Sequence, residues 1–204
     1  QNEVEIFIDE SKLILHGLTQ YYVYIQEVKA ASQLEQEFDK LCHLLDELTI
    51  NQIIIFVNKV DRAQKLTELL SKRMFNPICI HSRLKQEERI HSYDMFKLNQ
   101  SKLLVATDVF GRGMDIERVN LVINYGTDCI KVDFPKDRET YLHRVGRAGR
   151  FGTKGTAISF VKLDEDDTDP EHKTDKQVLM EVQDGFKIKI NELPKEIDAS
   201  TLAN

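Results

Sequence analysis

Ile53-Ile54-Ile55-Phe56-Val57 is an unbroken apolar run. A strand with one wet face alternates apolar and polar side chains, so a strand this uniform has to be covered on both faces. The flanking sequence supplies the cover. Ala30 to Leu48 places Leu34, Phe38, Leu41, Leu44, Leu45 and Leu48 at helical spacing, and Val60 to Arg73 does the same with Leu66, Leu69 and Leu70. The alternation continues along the chain. Tyr21 to Gln26, Pro77 to His81, Leu103 to Ala106, Leu121 to Asn124 and Thr156 to Val161 read as strands; Gln86 to Leu98, Asp137 to about Gly146 and Val178 to Phe186 read as helices. Strands that alternate with helices predict an α/β fold with a doubly wound, mainly parallel sheet. The predicted organisation is a lead-in over 1–16, one domain over 17–190 and an irregular tail over 191–204.

A length of 204 residues is enough for one domain with a sizeable core. The net charge of −6 excludes a domain that is basic as a whole, so any nucleic-acid contact has to be a local patch. No apolar stretch approaches a membrane span and no signal peptide is visible, so no membrane partner is expected. A chain that opens on Gln1 rather than Met is expected to be a piece of a longer protein. Cys42, Cys79 and Cys129 are odd in number and widely separated; they predict reduced thiols and no zinc site. Lys162 to Lys176 holds Asp164, Glu165, Asp166, Asp167 and Asp169 without regular ligand spacing, which predicts a solvated acidic loop and no metal site.

Two segments carry chemistry. In His143-Arg144-Val145-Gly146-Arg147-Ala148-Gly149-Arg150, three arginines recur at intervals of three beside two glycines. Guanidinium groups grip phosphate bidentately and stay charged at any working pH, and glycine lets a backbone come close. The pattern suits a polyanion site. Upstream, Val105-Ala106-Thr107-Asp108-Val109-Phe110-Gly111-Arg112-Gly113-Met114-Asp115-Ile116 follows a buried strand. Ligands in such folds sit at the carboxyl ends of strands, where Thr107 and Asp108 would project. Gly111 and Gly113 would let the loop turn tightly, and Asp115 could accept hydrogen bonds from a sugar hydroxyl.

These segments resemble motifs V and VI of the DEAD-box RNA helicases. Ile53 to Val57 with Asn58 and Lys59 looks like motif IV, Gln86-Glu87-Glu88-Arg89 like the Gln-x-x-Arg element, and Thr140-Tyr141-Leu142 leads into motif VI as in that family. Lys12 to Tyr22 and Asn191 to Asp198, with Phe110 to Asn120, look most like the nuclear branch that serves splicing and mRNA export as the ATPase of the TREX complex.

The resemblance implies a RecA-like, three-layer fold and half of a split site for ATP with Mg²⁺. The chain has no Gly-x-x-x-x-Gly-Lys-Ser/Thr and no Asp-Glu-Ala-Asp, so both ligands would be held mainly by an upstream RecA-like domain, and this half alone should not hydrolyse ATP. By resemblance, Arg147 and Arg150 are arginine fingers on the γ-phosphate, a role worth roughly 10³ to 10⁵ in rate in related NTPases. Asp115 would bind the ribose, with Gly113 giving room, and His143 would tie motif VI to its neighbours across the closed cleft. Arg144 would either join the arginine set or pair with an acidic neighbour. Thr107, Gln86, Arg89 and Gly111 would contact the RNA backbone without reading sequence. Implied partners are RNA, the upstream domain and splicing or export adaptor proteins, in the nucleus. Two rival readings are a helicase of translation initiation and a non-catalytic RNA- or protein-binding module on the same scaffold.

Three departures stand out. Gly126 to Val132 intervenes where the family runs straight into Asp-x-Pro. His81-Ser82-Arg83 lacks the glycine common at that place. Lys59 replaces a small hydroxyl residue.

Overall fold

The structure is a computed structural model. It describes residues 14–25, 31–48, 51–108, 116, 118–125, 135–149, 154–163 and 173–197, without the side chains of 31–34. Its strands are β1 (Leu18–Tyr24), β2 (Gln52–Phe56), β3 (Pro77–Ile80), β4 (Leu103–Ala106), β5 (Val119–Asn124), β6 (Gly155–Val161) and β7 (Asn191–Glu192). Its helices are α1 (Ala31–Glu47), α2 (Val60–Lys72), α3 (Gln86–Lys97), α4 (Arg138–Val145) and α5 (Asp175–Phe186). The strands form one sheet in the order β3-β4-β2-β5-β6-β1-β7, and every neighbouring pair is parallel.

The apolar run of β2 serves two cores, because successive side chains point to opposite faces. Ile53, Ile55 and Val57 pack with Leu41 and Leu45 of α1 and Ala63, Leu66 and Leu70 of α2. Ile54 and Phe56 face the other way, toward Phe96 of α3, Tyr141 and Val145 of α4, and Val178 and Val182 of α5. The crossovers through α1 and α2 step one way along the sheet over one face; those through α3, α4 and α5 step back over the other. Opposite steps over opposite faces give both sets the same hand, and parallel crossovers are right-handed almost without exception. The predicted three-layer α/β fold with a parallel, doubly wound sheet is therefore the fold observed.

The differences lie at the ends of elements. The first strand starts at Leu18 rather than Tyr21 and is fixed by parallel pairing to β6 from Leu18↔Gly155 onward. The last helix starts at Asp175, three residues early. Thr174 Oγ1 accepts the Gln177 N–H at 3.2 Å while Gln177 Oε1 accepts the Thr174 N–H at 2.9 Å, a reciprocal cap that closes this helix start. Residues expected to be an irregular tail begin as a strand: Asn191 and Glu192 pair with Tyr21 and Tyr22, and Leu193 N–H donates to Tyr22 O. Leu193 and Ile197 pack against the α1/α2 core.

Candidate functional site: the carboxyl rim of the sheet

Register places four strand ends on one rim: Phe56 lies opposite Ala106 and Asn124, and Ala106 opposite Ile80. The segments that follow these ends are Val57-Asn58-Lys59, His81 to Lys85, Thr107-Asp108 and Tyr125. β2 and β4 are neighbours whose chains leave in opposite directions, toward β3 and toward β5. That reversal is the topological condition for a ligand crevice over carboxyl ends.

One side chain ties the rim together. Arg144 is among the largest fully buried residues, with 1% exposure, and it projects from the last turn of α4. Its Nε donates to Asp108 Oδ1 at 2.6 Å and its NH2 to Asp108 Oδ2 at 2.8 Å, the two-pronged geometry of a guanidinium on a carboxylate. NH2 also donates to Asn58 Oδ1 at 2.6 Å and NH1 to Asn124 Oδ1 at 3.3 Å. The guanidinium carbon lies 5.5 Å from the Phe56 ring centroid. A single cation thus fastens the ends of β2, β4 and β5 to α4. Of the two roles expected for Arg144, pairing with an acidic neighbour is the one observed; the acid is Asp108.

A buried polar seam backs this clamp. Asn124 Nδ2 donates to Ser159 Oγ at 2.9 Å, Tyr141 OH donates to Gln20 Oε1 at 2.6 Å, and Gln20 Nε2 donates to Leu15 O at 3.2 Å. Burial pushes the Tyr141 hydroxyl far above the usual phenol range, opposed by a hydrogen bond its oxygen accepts from Ser159, so it stays a neutral donor. The seam crosses β5, β6 and β1 under α4. Sequence reading passed over Asn124, Ser159 and Gln20; the only signal was a polar residue inside or closing an otherwise apolar strand.

The helix that carries Arg144 starts at Asp137, whose Oδ1 accepts the Thr140 N–H at 2.7 Å. Burial raises the Asp137 pKa, but backbone and side-chain hydrogen bonds from Thr140 outweigh it, and the net result is below the usual carboxylate range. Beyond the helix, Arg147 is half-buried, and burial lowers its pKa from the ordinary arginine value. Gly149 then turns with φ +67°, where glycine is favoured, and its N–H donates to Val119 O at 3.2 Å. A Cβ built on Gly155 would stand 2.5 Å from Gly149 N, so two backbones meet where only glycines fit.

The remaining expected site residues divide as follows. Thr107 is buried at the end of β4, and its Oγ1 has no hydrogen-bond partner among the described residues. Gln86 is exposed as the first residue of α3, and Arg89 is half-buried one turn on. His143 is exposed on α4. Gly111, Gly113, Asp115 and Arg150 lie outside the described residues, as do the segment 126–132, Cys129 and the acidic stretch 164–172. Lys59 is the N-cap of α2 and makes no side-chain capping bond there, since an ammonium cannot accept one. Among the described residues no helix is long and apolar enough to cross a membrane.

The helicase conserved C-terminal domain family matches residues 36–152. The ATP-dependent RNA helicase SUB2 of Saccharomyces cerevisiae is 49% identical over 100% of the chain, which spans 41% of that relative. The ATP-dependent RNA helicase DDX39A of Homo sapiens is 50% identical over 98% of the chain, which spans 42% of it. Among solved structures, S. cerevisiae Dbp5 bound to RNA and ADP BeF3 aligns with a TM-score of 0.68 at 32% identity, over 87% of this chain and 42% of that one. A DEAD box protein from the hyperthermophile Methanococcus jannaschii aligns with a TM-score of 0.68 at 29% identity, over 89% of this chain and 43% of that one.

Proposed function

The chain belongs to the helicase conserved C-terminal domain family, in its DEAD-box branch, and from that premise we propose that it is the second RecA-like half of an ATP-dependent RNA helicase. The observation that carries the reading is the rim: residues of motifs IV, V and VI, far apart in sequence, converge on Arg144 through Asn58 and Asp108. ATP with Mg²⁺ is held mainly by an upstream RecA-like domain, and this half closes on it. Arg147 and Arg150 stabilise charge that develops on the γ-phosphate as its bond breaks. Asp115 holds the ribose, Gly113 makes room for it, and His143 contacts neighbouring motifs across the cleft. Thr107, Gln86, Arg89 and Gly111 touch RNA phosphate and sugar, which gives grip without sequence reading. Burial of Thr107 means its hydroxyl meets RNA only after a local adjustment of the rim. The identity to relatives named SUB2 and DDX39A supports a nuclear role in splicing and mRNA export, with adaptor proteins of those processes as partners.

The test is RNA-stimulated ATP hydrolysis by this chain alone and by the chain joined to its upstream half. Silence from the chain and RNA-stimulated turnover from the joined protein is the expected result. A joined protein that stays silent with every RNA would favour the reading as a binding module on a helicase scaffold.

A further inference from the structure

We infer that Arg83 is a phosphate-binding side chain on the RNA path and that its ion pair with Asp61 is an internal competitor which RNA displaces; this rests on the RNA-helicase reading of the same rim. Arg83 stands in the turn after β3, beside β4: Thr107 N–H donates to Ile80 O at 3.2 Å, so the turn abuts the buried, unsatisfied hydroxyl of Thr107. A bare turn at a strand end offers backbone amides to an anion. Here all but one of the amides from Ser82 to Lys85 are occupied: Arg83 N–H donates to His81 Nδ1 at 3.2 Å, Leu84 N–H to His81 O at 3.3 Å, and Lys85 N–H to Glu88 Oε2 at 2.7 Å. The Arg83 side chain is the charged group this turn has left to offer a phosphate, beside the Ser82 amide.

That side chain is available. Arg83 NH1 donates to Asp61 Oδ1 at 2.8 Å, with 65% of the arginine and 77% of the aspartate side chain exposed. The other guanidinium donors have no partner among the described residues. Exposed ion pairs of this kind hold weakly. Asp61 sits in the first turn of α2, where the helix terminus favours a carboxylate whether or not Arg83 is present. Releasing Arg83 therefore strands no charge. A phosphate offers the guanidinium a two-pronged partner, which a single Asp61 oxygen does not. Lys59 and Lys85 are exposed close by in sequence and add cationic charge, and Glu87 and Glu88 oppose it. The consequence is a site in which Asp61 competes with RNA for the Arg83 side chain.

The experiment is fluorescence anisotropy of the joined, full-length protein on a labelled single-stranded oligouridylate, over a range of NaCl concentrations. Asp61→Asn is expected to tighten binding by about two- to fivefold. Arg83→Ala is expected to weaken it and to reduce the slope of log affinity on log salt by about 0.7, one phosphate's worth, and Arg83→Lys to keep most of that slope. In an Arg83→Ala background the gain from Asp61→Asn should largely vanish, because the two residues compete through one contact. Unchanged affinity and slope in Arg83→Ala overturns the proposal alone, and an undiminished Asp61→Asn gain in that background overturns the competition. If the unsubstituted protein binds no RNA, the helicase reading and this proposal fall together.

Discussion

At the scale of single residues, the weight of the site falls on Arg144. A guanidinium with 1% exposure, bonded to Asp108, Asn58 and Asn124, has no water to replace a lost partner. Removing the arginine strands the buried Asn124 oxygen, whereas Asn58 and the half-exposed Asp108 carboxylate reach water, so Arg144→Ala should lower stability by about 3 kcal/mol, the low end for breaking a buried pair. Arg144→Lys keeps the charge but cannot fork, and should lose most of the same stability. Urea unfolding checks both, and a loss below about 1 kcal/mol would remove the clamp. His81 makes a second, pH-dependent prediction. Burial lowers its pKa first, Arg83 lowers it further, and Glu88 opposes them. Its Nδ1 accepts the Arg83 N–H only while unprotonated. A histidine with a depressed folded pKa contributes stability that is present above its unfolded value of about 6.5 and lost as pH falls through the folded one. The chain should therefore weaken as pH falls below about 6.5, and His81→Asn, which keeps an acceptor, should flatten that limb. An unaltered pH profile would refute the assignment. The sequence made the arginine run visible, yet it left open which role Arg144 takes, because a pairing across 36 positions to Asp108 depends on sheet order and no local pattern encodes that.

At the scale of elements, the strands and helices were legible because each carries its own signal: an uninterrupted apolar run for β2, a 3.6-residue stripe for α1 and α2. What sequence reading misplaced are features decided by neighbours. β7 is two residues long and exists because β1 offers an edge. The early start of α5 was readable in principle from Thr174-Asp175-Lys176-Gln177, a capping box hidden in a charged stretch. The loop after α4 depends on another element too. Gly149 and Gly155 touch backbone to backbone, which pins the residues just past Arg147 against the start of β6. Gly155→Ala pushes a methyl group into the Leu18 side chain, which can turn aside, and into the Gly149 backbone, which cannot yield without moving the loop. A stability loss of about 1–3 kcal/mol is expected. In the joined protein, ATP turnover should fall while RNA binding stays near normal, because the displaced loop carries the proposed arginine fingers and none of the proposed RNA contacts. Equal loss of both activities would mean the substitution acts on the whole fold.

At the scale of the whole molecule, a chain of net charge −6 does not hold RNA by bulk attraction. Arg144 sits where strand ends meet and couples those ends to the helix that leads to Arg147. On the proposed function, RNA on the rim and ATP in the cleft would act on one body, and each would favour the closed arrangement of the two halves. Linkage makes the consequence quantitative: whatever factor RNA adds to the affinity for a non-hydrolysable ATP analogue, the analogue must add the same factor to the affinity for RNA. Couplings of this type are about 1–3 kcal/mol, or roughly 5- to 150-fold. Two titrations of the joined protein measure both factors. Arg150→Ala, which removes a contact expected only in the closed state, should shrink them together and nearly abolish hydrolysis while each ligand alone still binds. Near-normal hydrolysis in that variant would remove the arginine-finger role. A factor of one in both titrations of the unsubstituted protein would mean that the rim and the cleft are independent sites and that closure is not the mechanism.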